Sequence, residues 1–248
     1  MTTWLFDLGN TRLKCAPLRT DGEAAIGNVI DAAHDGTAFD GDWPGQLPAR
    51  MDNALIASVA TPALTAVLLD GLTSRAGRIS LARTLPACAG VRIAYAQPWR
   101  LGVDRFLAML AAHADAQDAC LVVGVGTALT IDLLDAAGRH QGGRIAPSPT
   151  LMREVLHARA PQLPAGGGQY TEFADDTAAA LASGCEGAAL ALIAQSRQAA
   201  RSRLGVPPRL LLHGGGAAAL LPHLPDAVFA PALVLTGLAR WASALARA

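Results

Sequence analysis

Apolar residues along the chain gather in short runs closed by Gly, Pro or Asp. These runs predict strands over Thr3 to Asp7, Arg12 to Pro17, Ala54 to Val59, Val91 to Tyr95, Cys120 to Val123 and Leu129 to Leu134. Asp135-Ala136-Ala137-Gly138 reads as a turn into a further strand near Gly143 to Ala146, and Leu210-Leu211-Leu212 runs as a strand toward glycines. Between the strands lie stretches of helical character: Pro62 to Ala76, Val103 to Ala116, Thr150 to Ala158, Asp176 to Arg203, and a last one from Ala232. The alternation predicts an α/β chain.

The segment Ala116 to Ala119 follows a long helix and precedes a new strand, so the expected boundary separates residues 1–117 from 118–248. Each half then opens on a strand, a turn and a second strand, the pattern of a divergent internal duplication. Pro161 to Gln169, with Gly166-Gly167-Gly168, is the expected mobile loop, either bordering a site or serving as a surface linker.

Both opening turns carry glycine. Asp7-Leu8-Gly9-Asn10-Thr11 ends the run Trp4-Leu5-Phe6, and Gly124-Val125-Gly126-Thr127-Ala128 follows Leu121-Val122-Val123. A strand ending in Gly and Thr brings backbone N–H groups and a hydroxyl close to a phosphate with no Cβ in the way. Neither turn has the spacing of a P-loop or of a dinucleotide fingerprint. The first offers the Asp7 carboxylate, able to hold Mg²⁺ through water, then amides, Asn10, Thr11 and the cations Arg12 and Lys14 for phosphate oxygens. Taken alone, it is also what an ordinary Asp/Gly/Asn hairpin turn looks like. Aligned on Gly9 and Gly126, Asp7 has Gly124 as its counterpart, so one carboxylate is missing from the second turn.

With 248 residues and a formal charge of +0, the chain can bury a substantial core and shows no basic run that would track nucleic acid. A small-molecule role is favoured. Cys15, Cys88, Cys120 and Cys185 are scattered without a C-x-x-C pair, which predicts reduced thiols and a cytosolic setting. The N-terminus lacks a basic segment before an apolar stretch, and the Ala-rich run from Ala178 to Ala194 is broken by Glu186, so neither a signal peptide nor a membrane span is expected. The six histidines show no metal-binding spacing, and Asp175 and Asp176 read as a helix cap.

At its motifs the chain resembles the type III pantothenate kinases, of the acetate kinase, sugar kinase, Hsp70 and actin superfamily, over nearly its whole length. Asp7-Leu8-Gly9-Asn10-Thr11-Arg12 is similar to the family's first phosphate motif. Gly102-Val103-Asp104-Arg105, with Tyr95 seven residues ahead of Gly102, matches the G-x-D-R signature and the substrate tyrosine, the most specific likeness. Gly126-Thr127-Ala128-Leu129-Thr130-Ile131-Asp132 resembles the second phosphate motif, Gly142 to Pro147 the G-G-x-I-x-P segment, and His213-Gly214-Gly215-Gly216 the adenosine motif. Thr177 stands where the family has a substrate-binding threonine, although Asp176 replaces the more usual Asn before it.

The resemblance implies two ribonuclease H-like (actin-like ATPase) domains facing a central cleft, and transfer of the ATP γ-phosphoryl group to the 4′-hydroxyl of pantothenate, the opening step of coenzyme A synthesis. Asp104 is the implied catalytic base. Tyr95, Gly102, Val103, Arg105 and Thr177 would bind pantothenate; Asp7, Leu8, Gly9, Asn10, Thr11, Arg12, Leu13, Lys14 and Thr127 would bind ATP, with Asp7 also on Mg²⁺. Family members hold K⁺ or NH₄⁺ through an Asp where this chain has Gly124, so that ligand is absent. A homodimer is implied, with no nucleic-acid or membrane partner. The alternatives are a nucleotide-binding accessory regulator of transcription and a kinase for another small alcohol.

Overall fold

A computed structural model describes residues 1–19 and 26–246. It divides into two compact units: Met1–Ala116 with the C-terminal segment from Ala232, and Gln117–Pro231.

The first unit is built on a sheet of β1 (Thr3–Leu8), β2 (Arg12–Leu18), β3 (Ile30–Ala33), β4 (Met51–Ser58) and, after helix α1 (Pro62–Thr73), β5 (Ala76–Leu81). Its order is β3-β2-β1-β4-β5, with the β1–β2 and β2–β3 pairs antiparallel and the β1–β4 and β4–β5 pairs parallel. A small hairpin of β6 (Ala87–Cys88) and β7 (Val91–Arg92) then leads to α2 (Val103–Asp115). The strand expected over Val91 to Tyr95 is thus only its first two residues, paired across a tight turn with Ala89 and Gly90 at positive φ.

Side-chain alternation sorts the sheet into two faces. Phe6, Leu8, Leu13, Cys15, Ala54 and Ile56 form one core with Leu64, Leu68 and Leu72, which recur every fourth residue along α1. Thr61 caps that helix, accepting from Leu64 N–H at 3.3 Å, and Pro62 suits its first turn. Complete burial of each of the three leucines is worth roughly 1.5–3 kcal/mol. On the opposite face Leu5, Ala16 and Ala57 are buried, and α2 and α6 (Leu233–Leu245) pack on β1 and β4 there.

The second unit repeats the plan. Its strands are β8 (Cys120–Val125), β9 (Ala128–Leu134), β10 (His140–Pro147), β11 (Arg209–His213) and β12 (Val228–Phe229), in the order β10-β9-β8-β11-β12. Two antiparallel pairs are again followed by two parallel ones, so the duplication is visible in topology. Where the first unit has only a loop and a 3₁₀ turn at Pro44–Gln46 before β4, the second inserts α3 (Pro149–Arg159) and α4 (Thr177–Leu204) before β11; a short α5 (Ala217–Leu220) precedes β12.

Helix α4 begins at Asp176, whose carboxylate accepts from Ala178 and Ala179 N–H, and stops at Gly205 in the left-handed conformation. It is long and apolar enough to cross a membrane by length and composition, yet Ala189, Ile193 and Ala200 sit in the core of the second unit. In the loop expected to be mobile, Arg153 donates to the Gly167 carbonyl at 2.6 Å, and Gly168, at φ +75°, passes so close to Ala178 that a Cβ would not fit.

The C-terminal helix departs from the division at residue 118. Rather than closing the second unit, α6 crosses α2 in the first, where a Cβ on Gly237 would stand 1.9 Å from the Leu107 carbonyl oxygen. A bare glycine permits that approach, and Leu233, Leu235, Leu238 and Trp241 bury the rest of the helix face.

Candidate functional site

Asp7 occupies the last turn of side chains on β1, on the face that α2 and α6 cover. Directly opposite it on β2 is Lys14, and opposite Lys14 on β3 is Asp31, so an acid, a base and an acid stand in a row across the sheet. Burial first, and the negative charge of Asp104 second, push the Asp7 carboxyl up to about 7, while Lys14 pulls it down. The first unit therefore brings Asp7 and Asp104 into electrostatic reach of one another.

The turn after Asp7 is open. Gly9 N–H donates to the Arg12 carbonyl at 2.9 Å, and the Gly9 carbonyl accepts from His34 Nε2 at 3.0 Å. Asn10 and Thr11 are exposed. Leu8 and Leu13 point into the core, which leaves them their backbone groups for any ligand. Arg12 forms an ion pair with Asp31 at 2.6 Å, so in this structure its guanidinium is held at β3.

The Gly102-Val103-Asp104-Arg105 signature has a physical reading. Gly102 caps α2, and a Cβ there would come within 2.5 Å of Asp104 Oδ1, so glycine makes room for the carboxylate. Asp104 lies in the helix's first turn, where the dipole favours its charge, and accepts from Arg105 N–H at 2.8 Å. Val103 is buried as an anchor. Arg105 is also buried, and its Nη1 reaches the Tyr95 hydroxyl at 3.5 Å, a long hydrogen bond that joins the two residues expected to recognise substrate.

In the second unit the turn at Gly126 closes with Gly126 N–H on the Ala128 carbonyl at 3.0 Å, leaving Thr127 half-buried. The glycines after β11 lie against it. Gly216 N–H donates to the Val125 carbonyl at 3.0 Å, and Gly214, at φ +94°, approaches that oxygen so closely that a Cβ would stand 2.4 Å away. Thr177 is exposed at the head of α4.

Gly124 pairs with Thr130 on one side and His213 on the other. A Cβ built on it would meet Thr130 Oγ1 at 2.6 Å and His213 Nε2 at 2.9 Å, so these two side chains fill the space an aspartate would need.

Each unit thus carries its own share of the expected residues: Asp7, the Gly9 turn, Tyr95, Asp104 and Arg105 in the first, and Thr127, the Gly214 to Gly216 loop and Thr177 in the second. Sequence reasoning passed over His34, which belongs to no motif, and read His213 only as the start of the stretch resembling the adenosine motif; their places beside the two turns follow from strand pairing. Among the described residues no three His, Cys, Asp or Glu side chains gather as a metal site.

Comparison with known proteins places the chain. The model of the family described as type III pantothenate kinase matches residues 4–199. A type III pantothenate kinase of Stenotrophomonas maltophilia (strain K279a) is 61% identical over 242 residues, covering 98% of each chain. One from Xanthomonas euvesicatoria pv. vesicatoria is 59% identical over 246 residues, covering 99% of each. Among solved structures, a Campylobacter jejuni protein described in the Baf family of transcriptional activators superposes with a TM-score of 0.65 at 18% identity, covering 99% of this chain and 100% of that one. A Sinorhizobium meliloti protein described as a 2-dehydro-3-deoxygalactonokinase gives 0.58 at 16%, covering 98% and 99%. Those structures share the fold, and the family model together with the full-length relatives shows that this chain belongs to the type III pantothenate kinases.

Proposed function

We infer that the chain transfers the γ-phosphoryl group of ATP to pantothenate, forming 4′-phosphopantothenate and ADP, and so opens coenzyme A synthesis. The observation that carries this reading is the grouping of Asp7, Asp104, Arg105 and Tyr95 in one unit of a chain that matches its family end to end.

Phosphoryl transfer has a loose transition state, so positioning and charge neutralisation supply most of the catalysis. Asp104 orients the acceptor hydroxyl. Its carboxylate is far too weak a base to make a free alkoxide beforehand, so it takes the proton as the new P–O bond forms. Arg105 and Tyr95 hold the pantothenate carboxylate and amide end, with Thr177 as a further contact. The open N–H groups and hydroxyls of the Gly9 and Gly126 turns, with Lys14, receive phosphate oxygens, and the glycines after His213 let adenosine lie on backbone.

Asp7 is the residue suited to Mg²⁺. Its ionised form is disfavoured by burial and by a second carboxylate, a shortage of positive charge that a divalent cation would meet. When bound with ATP the ion would supply neutralisation of phosphate charge. At Gly124 the reading is of a chain without the family's carboxylate for K⁺ or NH₄⁺, supported by the packing of Thr130 and His213 into that space.

A homodimer in the cytoplasm completes the proposal. An apolar groove of about 420 Å³ between α3 and α4, with Leu151, Met152, Val155 and Leu181 in its lining and Val155 half exposed, is consistent with a protein partner. Sedimentation should give twice the chain mass. The deciding experiment for function is a coupled ADP-release assay with pantothenate against simple sugars: turnover with pantothenate alone is expected, and turnover with a sugar instead would overturn the substrate.

A further inference from the structure

We propose that His34 is a positioning residue that holds the Gly9 to Arg12 turn in the shape that receives nucleotide phosphate, which rests on the reading of that turn as the phosphate site. A two-residue hairpin turn between paired strands ordinarily closes with two reciprocal hydrogen bonds. Here Gly9 N–H donates to the Arg12 carbonyl, but the Gly9 carbonyl is turned to His34 Nε2, 3.0 Å away.

The direction of that bond is fixed. Gly36 N–H donates to His34 Nδ1 at 3.2 Å, so Nδ1 is the acceptor and the imidazole proton is on Nε2, aimed at the Gly9 oxygen. A second hold comes from the same residue's backbone, since His34 N–H donates to the Thr11 carbonyl at 3.2 Å.

Peptide planarity converts these two holds into a shape. In a trans peptide C=O and N–H point in opposite directions, so drawing the Gly9 and Thr11 carbonyls toward β3 turns Asn10 N–H and Arg12 N–H away from it. These two backbone donors and the Thr11 hydroxyl are then the groups the turn can offer an oxyanion.

The imidazole is itself braced. His34 is 8% exposed, its ring meets Phe39 edge-on at 5.7 Å, and Phe39 lies 5.0 Å from Trp43, a member of the first core. A rigid support of this sort saves the turn the entropy of ordering when phosphate arrives.

The test compares His34→Phe, which keeps a ring on Phe39 and removes both ring nitrogens, with His34→Gln, which restores a donor for the Gly9 carbonyl. His34→Phe should raise the KM for MgATP about tenfold, leaving the KM for pantothenate within about twofold, and His34→Gln should recover most of the loss. Amide exchange across Leu8 to Leu13, read without nucleotide, should quicken in His34→Phe and not in His34→Gln. Unchanged MgATP KM and exchange in folded His34→Phe would overturn the proposal. So would equal behaviour of the two variants, or losses in every kinetic constant that merely follow the melting temperature. If pantothenate were not the substrate, the wild-type assay would fail while exchange and binding of a fluorescent ATP analogue still reported on His34.

Discussion

The carboxylate of Asp104 raises the proton affinity of Asp7, and burial carries the Asp7 carboxyl to about 7, although Lys14 stands directly across the hairpin from it. A group placed so costs the protein stability when it is ionised.

That relationship gives a stability prediction with a definite sign. Folded Asp7 binds its proton more tightly than in the unfolded chain, where carboxylates titrate near 4. The resulting stability is fully present below about pH 4 and is lost as pH rises through about 7. Asp7→Asn, which cannot ionise, should therefore make the metal-free protein more stable at pH 8, by up to about 4 kcal/mol, with the gain fading toward pH 4. Denaturant melts across that range measure it. The same variant should lose MgATP affinity and turnover by about 10- to 100-fold, the loss expected when a charged contact goes. A variant that is no more stable at pH 8, or that keeps normal MgATP kinetics, would contradict the assignment.

Asp104→Asn tests the proposed base apart from the fold. The amide oxygen can still accept from Arg105 N–H, now 2.8 Å from Asp104 Oδ1, so the start of α2 should stand. Turnover should fall by roughly two to four decades, the span of a positioned general base. Circular dichroism with single-turnover kinetics would read both, and near-normal kcat in the folded variant would remove Asp104 from the mechanism.

Gly9 offers a different kind of test, because nothing in the free chain demands glycine there. An added Cβ would meet only the Arg12 carbonyl oxygen, at 3.4 Å, an ordinary contact. Gly9→Ala should fold with a melting temperature within a degree or two of the parent, about ±0.5 kcal/mol. If the glycine is there for phosphate, MgATP KM should rise at least about tenfold as the methyl group stands in the approach. Unaltered MgATP binding would mean that phosphate does not come near this residue.

How much of this was legible beforehand depended on whether the cause was local. The turns at Gly9 and Gly126, the capping Asp176 and the helix starting at Val103 each follow from residues adjacent in the chain, and all four are in place. Ile30–Ala33 and Val228–Phe229 are edge strands of four and two residues, too short for an alternating pattern to declare itself. Val91 to Tyr95 has the apolar residues of a strand, yet among the described residues its pairing, with β6, ends at Arg92. The helix after Ala232 was readable as a helix, whereas its place on α2 depends on Gly237 meeting Leu107, a contact no local pattern encodes. His34 lay beyond sequence reasoning for the same reason: its ring matters only once β3 lies beside β2.

Gly124, the proposed gap in the second turn, leads to the last prediction. Under the proposed reading the carboxylate for a monovalent cation is missing there, and Thr130 Oγ1 and His213 Nε2 would lie 2.6 and 2.9 Å from any Cβ. Replacing the residue alone cannot rebuild the site, since both neighbours must first move. Initial rates in K⁺ and in Na⁺ at equal ionic strength should agree within about twofold, because exposed charges are screened alike by either ion. Gly124→Asp should not introduce K⁺ activation, and should lower stability by about 1–3 kcal/mol, the usual cost of overpacking. Strong activation of the unaltered chain by K⁺ would show that other ligands hold the ion, and a stable Gly124→Asp variant that gained K⁺ dependence would show that Thr130 and His213 yield more readily than their packing implies.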